Sequence, residues 1–84
     1  MGYILVLTRT CKTMIPYSNI ASIHLSENCN VIVDLNTKTM CSFLDDKNFY
    51  KFTYPDYDTA EEAFENLVEK FGSNKFGGTY WSNN

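Results

Sequence analysis

The chain has 84 residues and a formal net charge of −3, and 44% of its residues are hydrophobic and 15% aromatic. This length allows one domain, and the composition is typical of a folded chain rather than a disordered one. Its seven Lys and Arg residues are scattered along the sequence. Because phosphate contacts by basic side chains supply most of the affinity for nucleic acid, this charge disfavours generic DNA or RNA binding.

The three cysteines, Cys11, Cys29 and Cys41, are odd in number, and no two have the C-x-x-C spacing. This pattern favours reduced thiols over a disulfide framework, and it predicts neither a metal site nor another cofactor. The N-terminal residues lack the basic segment of a secretory signal, and no apolar stretch reaches the length of about 18 residues needed to span a membrane. The sequence therefore predicts a cytoplasmic protein.

The first third of the chain reads as short strands joined by turns. "YILVLT" (3–8) predicts a buried strand, and "MIPY" (14–17) predicts a second one with Pro16 at its end or on a sheet edge. "SNIA" (18–21) is typical of a single helical turn or a bulge. "SIHL" (22–25) then begins a third strand.

The middle of the chain predicts further strands in a meander. The expected order is turn (26–30), strand (31–36), turn (36–39), strand (39–44), turn (45–48) and strand (49–54). The two strands around the turn at 36–39 should pair as a hairpin. Five or six short strands at near-regular spacing indicate an antiparallel sheet.

An amphipathic helix is predicted for "DTAEEAFENLVEKFG" (58–72). Thr59 with Glu62 forms a capping box that places Thr59 at the N-cap, and Gly72 suits the position just after the helix. The apolar stripe, which must be buried against the sheet, consists of Ala60, Ala63, Phe64, Leu67, Val68 and Phe71.

The C-terminal segment changes character after the helix. Residues 1–72 form the predicted domain, and residues 73–84 form a tail with two adjacent glycines. Its rings Phe76, Tyr80 and Trp81 leave two interpretations open. The tail is frayed, or its rings dock on a sheet edge or on another subunit, since Tyr and Trp are favoured interface anchors.

No motif in the chain indicates an enzyme. His24 falls on the polar face of its predicted strand, and the sequence shows no nucleophile or orienting group beside it. We interpret it as a solvent-facing histidine. The paired carboxylates Asp45 and Asp46 adjoin Lys47 and Asn48 and are interpreted as turn residues.

An acidic stripe on the predicted helix is the most unusual charge pattern. Glu61, Glu65 and Glu69 recur every four residues, with Glu62 beside them, and no Lys occupies the positions that would relieve their repulsion. One interpretation is a solvated face that aids solubility. The other is a docking surface for a basic partner.

Two family resemblances accompany this pattern. "IPYSNIASI" within residues 14–44 resembles the start of the LytTR DNA-binding domain, although the basic residues that bind DNA in that family are missing. Over residues 3–71, "LVLTR", "NIASI", a hairpin and a C-terminal helix resemble small FlbD-type and PH-like proteins of phages and low-GC bacteria. The resemblance implies a PH-like or roll-like sheet around one helix.

We therefore expect an α+β fold in which an antiparallel sheet of five or six strands packs on one C-terminal helix. The expected core is Leu5, Leu7, Ile20, Ile23, Val31, Val33, Phe52, Phe64, Leu67, Val68 and Phe71.

The leading functional hypothesis is a non-catalytic binding protein. It would be a small phage or mobile-element inhibitor, of the anti-CRISPR or anti-defence type, that covers a basic surface of a host protein. The predicted contacts are Glu61, Glu62, Glu65, Glu69, Phe76, Tyr80 and Trp81.

Two alternatives stay open. One is a homodimer or other homo-oligomer that binds a small anionic or nucleotide-like ligand, which requires Lys12, Lys38 or Lys51 to converge. The other is a LytTR-like DNA-binding regulator, which the net charge disfavours.

Overall fold

A computed structural model describes the backbone of residues 2–42 and 45–82, and the side chains of residues 2–37 and 48–82. The expected α+β class is confirmed. The described residues form β1 (Tyr3–Leu7), β2 (Lys12–Pro16), β3 (Ile20–Ser26), β4 (Asn30–Ser42), β5 (Asp45–Thr53), α1 (Tyr57–Gly72) and β6 (Thr79–Trp81).

The strands form two sheets of three rather than one larger sheet. The first has the order β2-β1-β6, and the second has the order β3-β4-β5. Strands β1 and β6 run parallel, and the other neighbours are antiparallel. Because a parallel neighbour requires a long crossover connection, β6 reaches β1 only after the chain has passed through the second sheet and α1.

The segment after β2 contains both irregular features that the sequence suggested. Tyr17–Asn19 form one 3₁₀ turn directly after Pro16, and the β3–β4 register shifts between Ile20 and Ser22. Pro16 ends a strand at the edge of the described sheet, where its missing N–H costs no ladder hydrogen bond.

The predicted turns at 36–39 and 45–48 are wrong. β4 continues to Ser42 and β5 starts at Asp45, so that Thr39 pairs with Lys47. The segment "NTKT" has no Gly or Pro, and its β-branched threonines suit an extended chain. The β4–β5 pairing shifts its register between residues 34 and 39, but the chain does not turn there.

Helix α1 is confirmed, but both of its predicted ends move. Asp56 is the N-cap, and its Oδ1 accepts hydrogen bonds from the Thr59 N–H and the Thr59 Oγ1, each at 2.8 Å. Gly72 is the last helical residue and Ser73 is the C-cap. The left-handed conformation after the helix belongs to Asn74, at φ 55°, a residue type that tolerates it better than most.

The core lies between the two sheets and α1. The predicted core residues Ile20, Val31, Val33, Phe52 and Leu67 are buried. Ile23 and Phe64 are partly buried and pack against the same cluster.

The prediction reversed the faces of β1 and placed too much of the helix in the core. Ile4 and Val6 are fully buried, whereas Leu5 and Leu7 are only half-buried on the opposite face. The sequence could not decide between the faces because all five residues of β1 are hydrophobic or aromatic. Val68 and Phe71 are exposed, because the buried side of α1 is centred on Ala60 and Leu67.

The cysteines differ from one another. Cys11 is disulfide-bonded, and Cys29 is a free cysteine in the turn between β3 and β4. The prediction of reduced thiols is therefore wrong for Cys11. Such bonds are more typical of oxidising compartments, so the cytoplasmic location stays a prediction. Among the helices of the described residues, none is both long and apolar enough to cross a lipid bilayer.

Candidate functional site

The acidic residues are concentrated around α1. Six of the ten acidic residues lie between Asp56 and Glu69, and no Lys or Arg lies between these two positions. The Asp56 cap fixes where the helix begins. The pKa of Asp56 is lowered because its carboxylate accepts hydrogen bonds from Thr59, with the backbone N–H contributing most and the side-chain hydroxyl less. The helix spacing then decides which glutamates share a face.

Three of the predicted glutamates line one groove. Glu62, Glu65 and Glu69 lie along an open groove of about 460 Å³, together with Tyr54, Thr59, Ala63 and Asn66. Residues three and four apart stand next to each other on a helix surface, so these carboxylates form a continuous row. We call this the acidic groove. Glu61 is exposed and does not belong to its lining.

The acidic groove carries uncompensated charge. Between described residues, the only ion pair within 4.0 Å joins His24 and Asp34, which lie on the second sheet. The three groove carboxylates therefore repel one another without a cation from the described part of the chain. Tyr54 gives the groove an aromatic wall, and burial raises the pKa of its hydroxyl. Carboxylates beside a ring form an environment that favours Lys and Arg side chains.

The sequence-based prediction of this site did not include Tyr54 or Asn66. A signal for Asn66 was present, since it is four residues after Glu62 and three before Glu69 on the same predicted helix. No such signal existed for Tyr54, which follows β5 and meets the helix only through the tertiary fold.

The C-terminal rings separate into one buried and two exposed members. Tyr80 is 8% exposed and its ring stacks on Phe52 with centroids 4.9 Å apart, so it is part of the core rather than a surface contact. Phe76 and Trp81 are exposed, as their predicted role requires. Phe76 also touches the Tyr3 ring, at a centroid distance of 4.9 Å. The segment is docked on the edge of β1, which agrees with the docking interpretation.

A polar cluster on the second sheet contains His24. Its Nε2 lies 2.7 Å from Asp34 Oδ2 and 3.0 Å from Ser22 Oγ, and the Ser22 hydroxyl donates to the same Asp34 oxygen at 2.9 Å. In a catalytic triad, Ser and Asp contact opposite nitrogens of the imidazole. Here both contact Nε2, and the Ser22 proton is directed to Asp34. This geometry does not assemble a nucleophile with its base.

The other predicted groups do not form a site in the described residues. Lys12 lies on β2 and Lys51 on β5, in different sheets, and the side chain of Lys38 lies outside the described residues, as do those of Asp45 and Asp46. No three His, Cys, Asp or Glu side chains within the described part of the chain are grouped to hold a metal ion.

Comparisons of the chain with protein-family models, with curated proteins and with solved structures found no match.

Proposed function

We propose that this protein is a non-catalytic binding protein that covers a basic surface of a host protein, and that it acts as a small inhibitor of the phage or mobile-element type. The observation that carries the proposal is the acidic groove. Three carboxylates line about 460 Å³ of open space beside an aromatic ring, and no described Lys or Arg neutralises them.

A cationic side chain would gain several interactions in this groove. It would relieve the repulsion between Glu62, Glu65 and Glu69, and it could lie against the Tyr54 ring. The same row of charge would accelerate the approach of a basic partner from a distance. Because these carboxylates are exposed, the attraction is screened by salt, and affinity should fall as ionic strength rises.

The test compares two triple variants with the same loss of charge. The groove variant carries Glu62→Gln, Glu65→Gln and Glu69→Gln. The matched control carries Glu27→Gln, Asp58→Asn and Glu61→Gln, three exposed acids outside the groove lining. Each protein is immobilised and incubated with host lysate, and the bound proteins are identified. The affinity of each purified partner is then measured by calorimetry over a range of salt concentrations.

We expect the wild type and the control variant to retain the same basic protein with similar affinity, and the groove variant to lose it. Loss of two or three close ion pairs at a partly buried interface should weaken binding by at least tenfold. Equal binding by both triple variants would mean that the acidic groove is only solvated surface. Turnover of a substrate by the purified protein would contradict the non-catalytic part of the proposal.

We also propose the roll-like, PH-like arrangement for the two sheets. Its support is that both sheets and α1 contribute side chains to a single core cluster. A crystal structure in which the two sheets have separate cores would contradict this arrangement.

A further inference from the structure

The first sheet exposes an apolar face away from the core. Ile4 and Val6 point inward, so Tyr3, Leu5 and Leu7 of β1 point outward. Their partners across the sheet extend this outer face. They are Met14 opposite Leu5, Lys12 and Trp81 opposite Leu7, and Phe76, whose ring contacts Tyr3.

The outer face is accessible, and its rings lie at both ends. Met14 is 58% exposed, Trp81 53% and Phe76 44%. Phe76 and Tyr3 stand at the start of β1, while Trp81 stands opposite Leu7 at its other end. With about 3.3 Å per residue along a strand, these two groups of rings are roughly 13 Å apart.

The charged side chains of the segments that build this face are all basic. All ten acidic residues of the chain lie between Glu27 and Glu69. The segments that build the first sheet, residues 2–16 and 73–82, therefore contain no acid, and they carry Arg9, Lys12 and Lys75. Lys12 lies on the face itself, Arg9 is in the turn after β1, and Lys75 adjoins Phe76. The net charge of −3 conceals this separation of charge.

The dimensions of the outer face argue against a stable protein–protein interface. The strands are about 4.8 Å apart, and β1 and β2 have five residues each while β6 has three, so the face covers at most roughly 10 by 17 Å. A specific protein interface needs about 800 Å² on each partner, several times this area. A narrow, flexible chain is better matched to the face than a second globular surface.

We infer that the outer face of the β2-β1-β6 sheet binds single-stranded nucleic acid. Bases present a flat π-surface whatever their sequence, and they stack on exposed aromatic side chains such as Trp81, Phe76 and Tyr3. Phosphates would be met by Arg9 and Lys12 at one end of the face and by Lys75 at the other. A duplex, whose bases are already stacked on one another, offers the rings much less.

Trp81 provides a direct readout because it is the only tryptophan in the chain. The full-length protein is titrated with an oligothymidylate of about 15 nucleotides, a length near the upper site size of single-strand binding folds. The matching duplex and phospholipid vesicles with and without phosphatidylserine are titrated in parallel. We expect saturable quenching of Trp81 fluorescence by the single strand, with much weaker binding of the duplex and no binding of the vesicles.

Two substitutions of Trp81 separate stacking from general apolar contact, using a fluorescein-labelled oligonucleotide and anisotropy. Trp81→Phe keeps a ring and should retain most of the affinity. Trp81→Leu should weaken binding roughly 5- to 150-fold, the effect of losing one stacked base. Tyr57→Leu, which removes another exposed ring, this one on α1, is the matched control and should bind as the wild type does.

Salt dependence tests the cations independently. With up to three phosphate contacts, the logarithm of the association constant should fall with the logarithm of salt concentration at a slope of about −2. Lys12→Gln should bring that slope closer to zero by about 0.7, while Lys70→Gln at the end of α1 should leave it unchanged.

Several results would overturn the inference. One is the absence of quenching by the oligonucleotide at low salt. Another is a blue shift of Trp81 emission with anionic vesicles only, which would assign the face to a lipid surface. Equal affinity of the Phe and Leu variants would exclude stacking. Circular dichroism of every variant must match the wild type, which ensures that lost binding reports on the face and not on unfolding.

Discussion

Tyr80 shows how one side chain ties the C-terminal segment to the core. Its ring stacks on Phe52, and its hydroxyl donates a hydrogen bond to the Gly77 carbonyl oxygen at 2.6 Å. Burial raises the pKa of Tyr80 to about 12, and the nearby Tyr54 and Tyr17 add to the shift. Ionisation would remove the hydrogen-bond donor and place a phenolate against a carbonyl oxygen, which the folded state resists.

This pKa predicts a loss of stability at high pH. The ordinary pKa of a tyrosine hydroxyl is 10.0, and the pKa of Tyr80 in the folded protein is about 12. Below pH 10 both states hold the proton, so the contribution of Tyr80 to the free energy of unfolding is complete. Between these two values the unfolded chain releases the proton first, so the contribution is lost as the pH rises. Urea unfolding midpoints measured from pH 9 to pH 12 should therefore fall.

Tyr80→Phe is the informative variant for this prediction. It keeps the stacked ring and lacks the ionisable hydroxyl, so its midpoint should decline less steeply with pH than that of the wild type. Some decline should remain, because burial also raises the pKa of Tyr17 and Tyr54. Tyr57→Phe, at an exposed position, should decline as the wild type does. Parallel curves for Tyr80→Phe and the wild type would contradict the assignment.

The contact among Ser22, His24 and Asp34 is one that the sequence alone is sufficient to predict. Ser22 and His24 are two residues apart and share one face of β3, and Asp34 lies on β4, the next strand. Closing the turn at 26–30 pairs Ser26 with Asn30, and that register places Ser22 opposite Asp34. The contact follows from strand parity and turn length alone. The contact of Tyr54 with the helix does not, because no local pattern relates them.

At the scale of elements, the spacing of hydrophobic residues predicts the helix and most of the strands, but it does not predict where the strands end. The apolar stripe of α1 is long and regular, so its existence was predictable. The predicted turns at 36–39 and 45–48 rested on polar composition only, and pairing across β4 and β5 overrides that weak preference. The position of β6 could not be predicted from the sequence, because a segment of three residues forms a strand only by pairing with the edge of β1.

The N-terminus of α1 gives a prediction at this scale. The sequence predicts Thr59 as the cap, but its N–H and hydroxyl both donate to Asp56, which therefore caps the helix. Asp56→Ala should lower the urea midpoint, while Asp56→Asn should retain most of the stability because Asn caps nearly as well. Unfolding is followed by far-ultraviolet circular dichroism.

The pH dependence of Asp56 has the opposite direction to that of Tyr80. The pKa of Asp56 in the folded protein lies below the ordinary aspartate value of 3.8. Its contribution to stability is thus present above that value and is lost as the pH falls through the folded pKa. The difference in midpoint between the wild type and Asp56→Ala should shrink toward acid pH. If Thr59→Ala destabilises the helix more than Asp56→Ala does, the Asp56 cap is refuted.

For the whole molecule, the C-terminal segment closes the first sheet and connects the two ends of the chain. Gly77 N–H donates to Tyr3 O at 2.8 Å, Leu5 N–H to Gly78 O at 3.0 Å, and Ser82 N–H to Leu7 O at 2.9 Å. An added Cβ at Gly77 would lie within 2.6 Å of Ile4, so the segment passes close over the core. Residues 76–82 are thus a structural part of the fold, whatever their role in binding.

Truncation after Lys75 tests this role of the segment. The shortened chain loses the buried Tyr80 ring and all pairing of β1 on that side. Removing a large buried aromatic side chain alone costs about 3–5 kcal/mol, and a domain of this size has a stability of only about 5–15 kcal/mol or less. We expect little or no cooperative unfolding and a collapsed dispersion of amide resonances in two-dimensional NMR spectra.

Two point variants of the 84-residue chain distinguish the effect of losing the Tyr80 packing from the effect of removing the whole segment. Tyr80→Ala should reproduce most of the destabilisation, whereas Thr79→Ala, at the exposed neighbouring position, should change the urea midpoint little. If the truncated chain instead unfolds at the same urea concentration as the intact protein, the frayed interpretation of the tail would be correct. The core would then be complete without β6, and the outer face would lose the strand that positions Trp81.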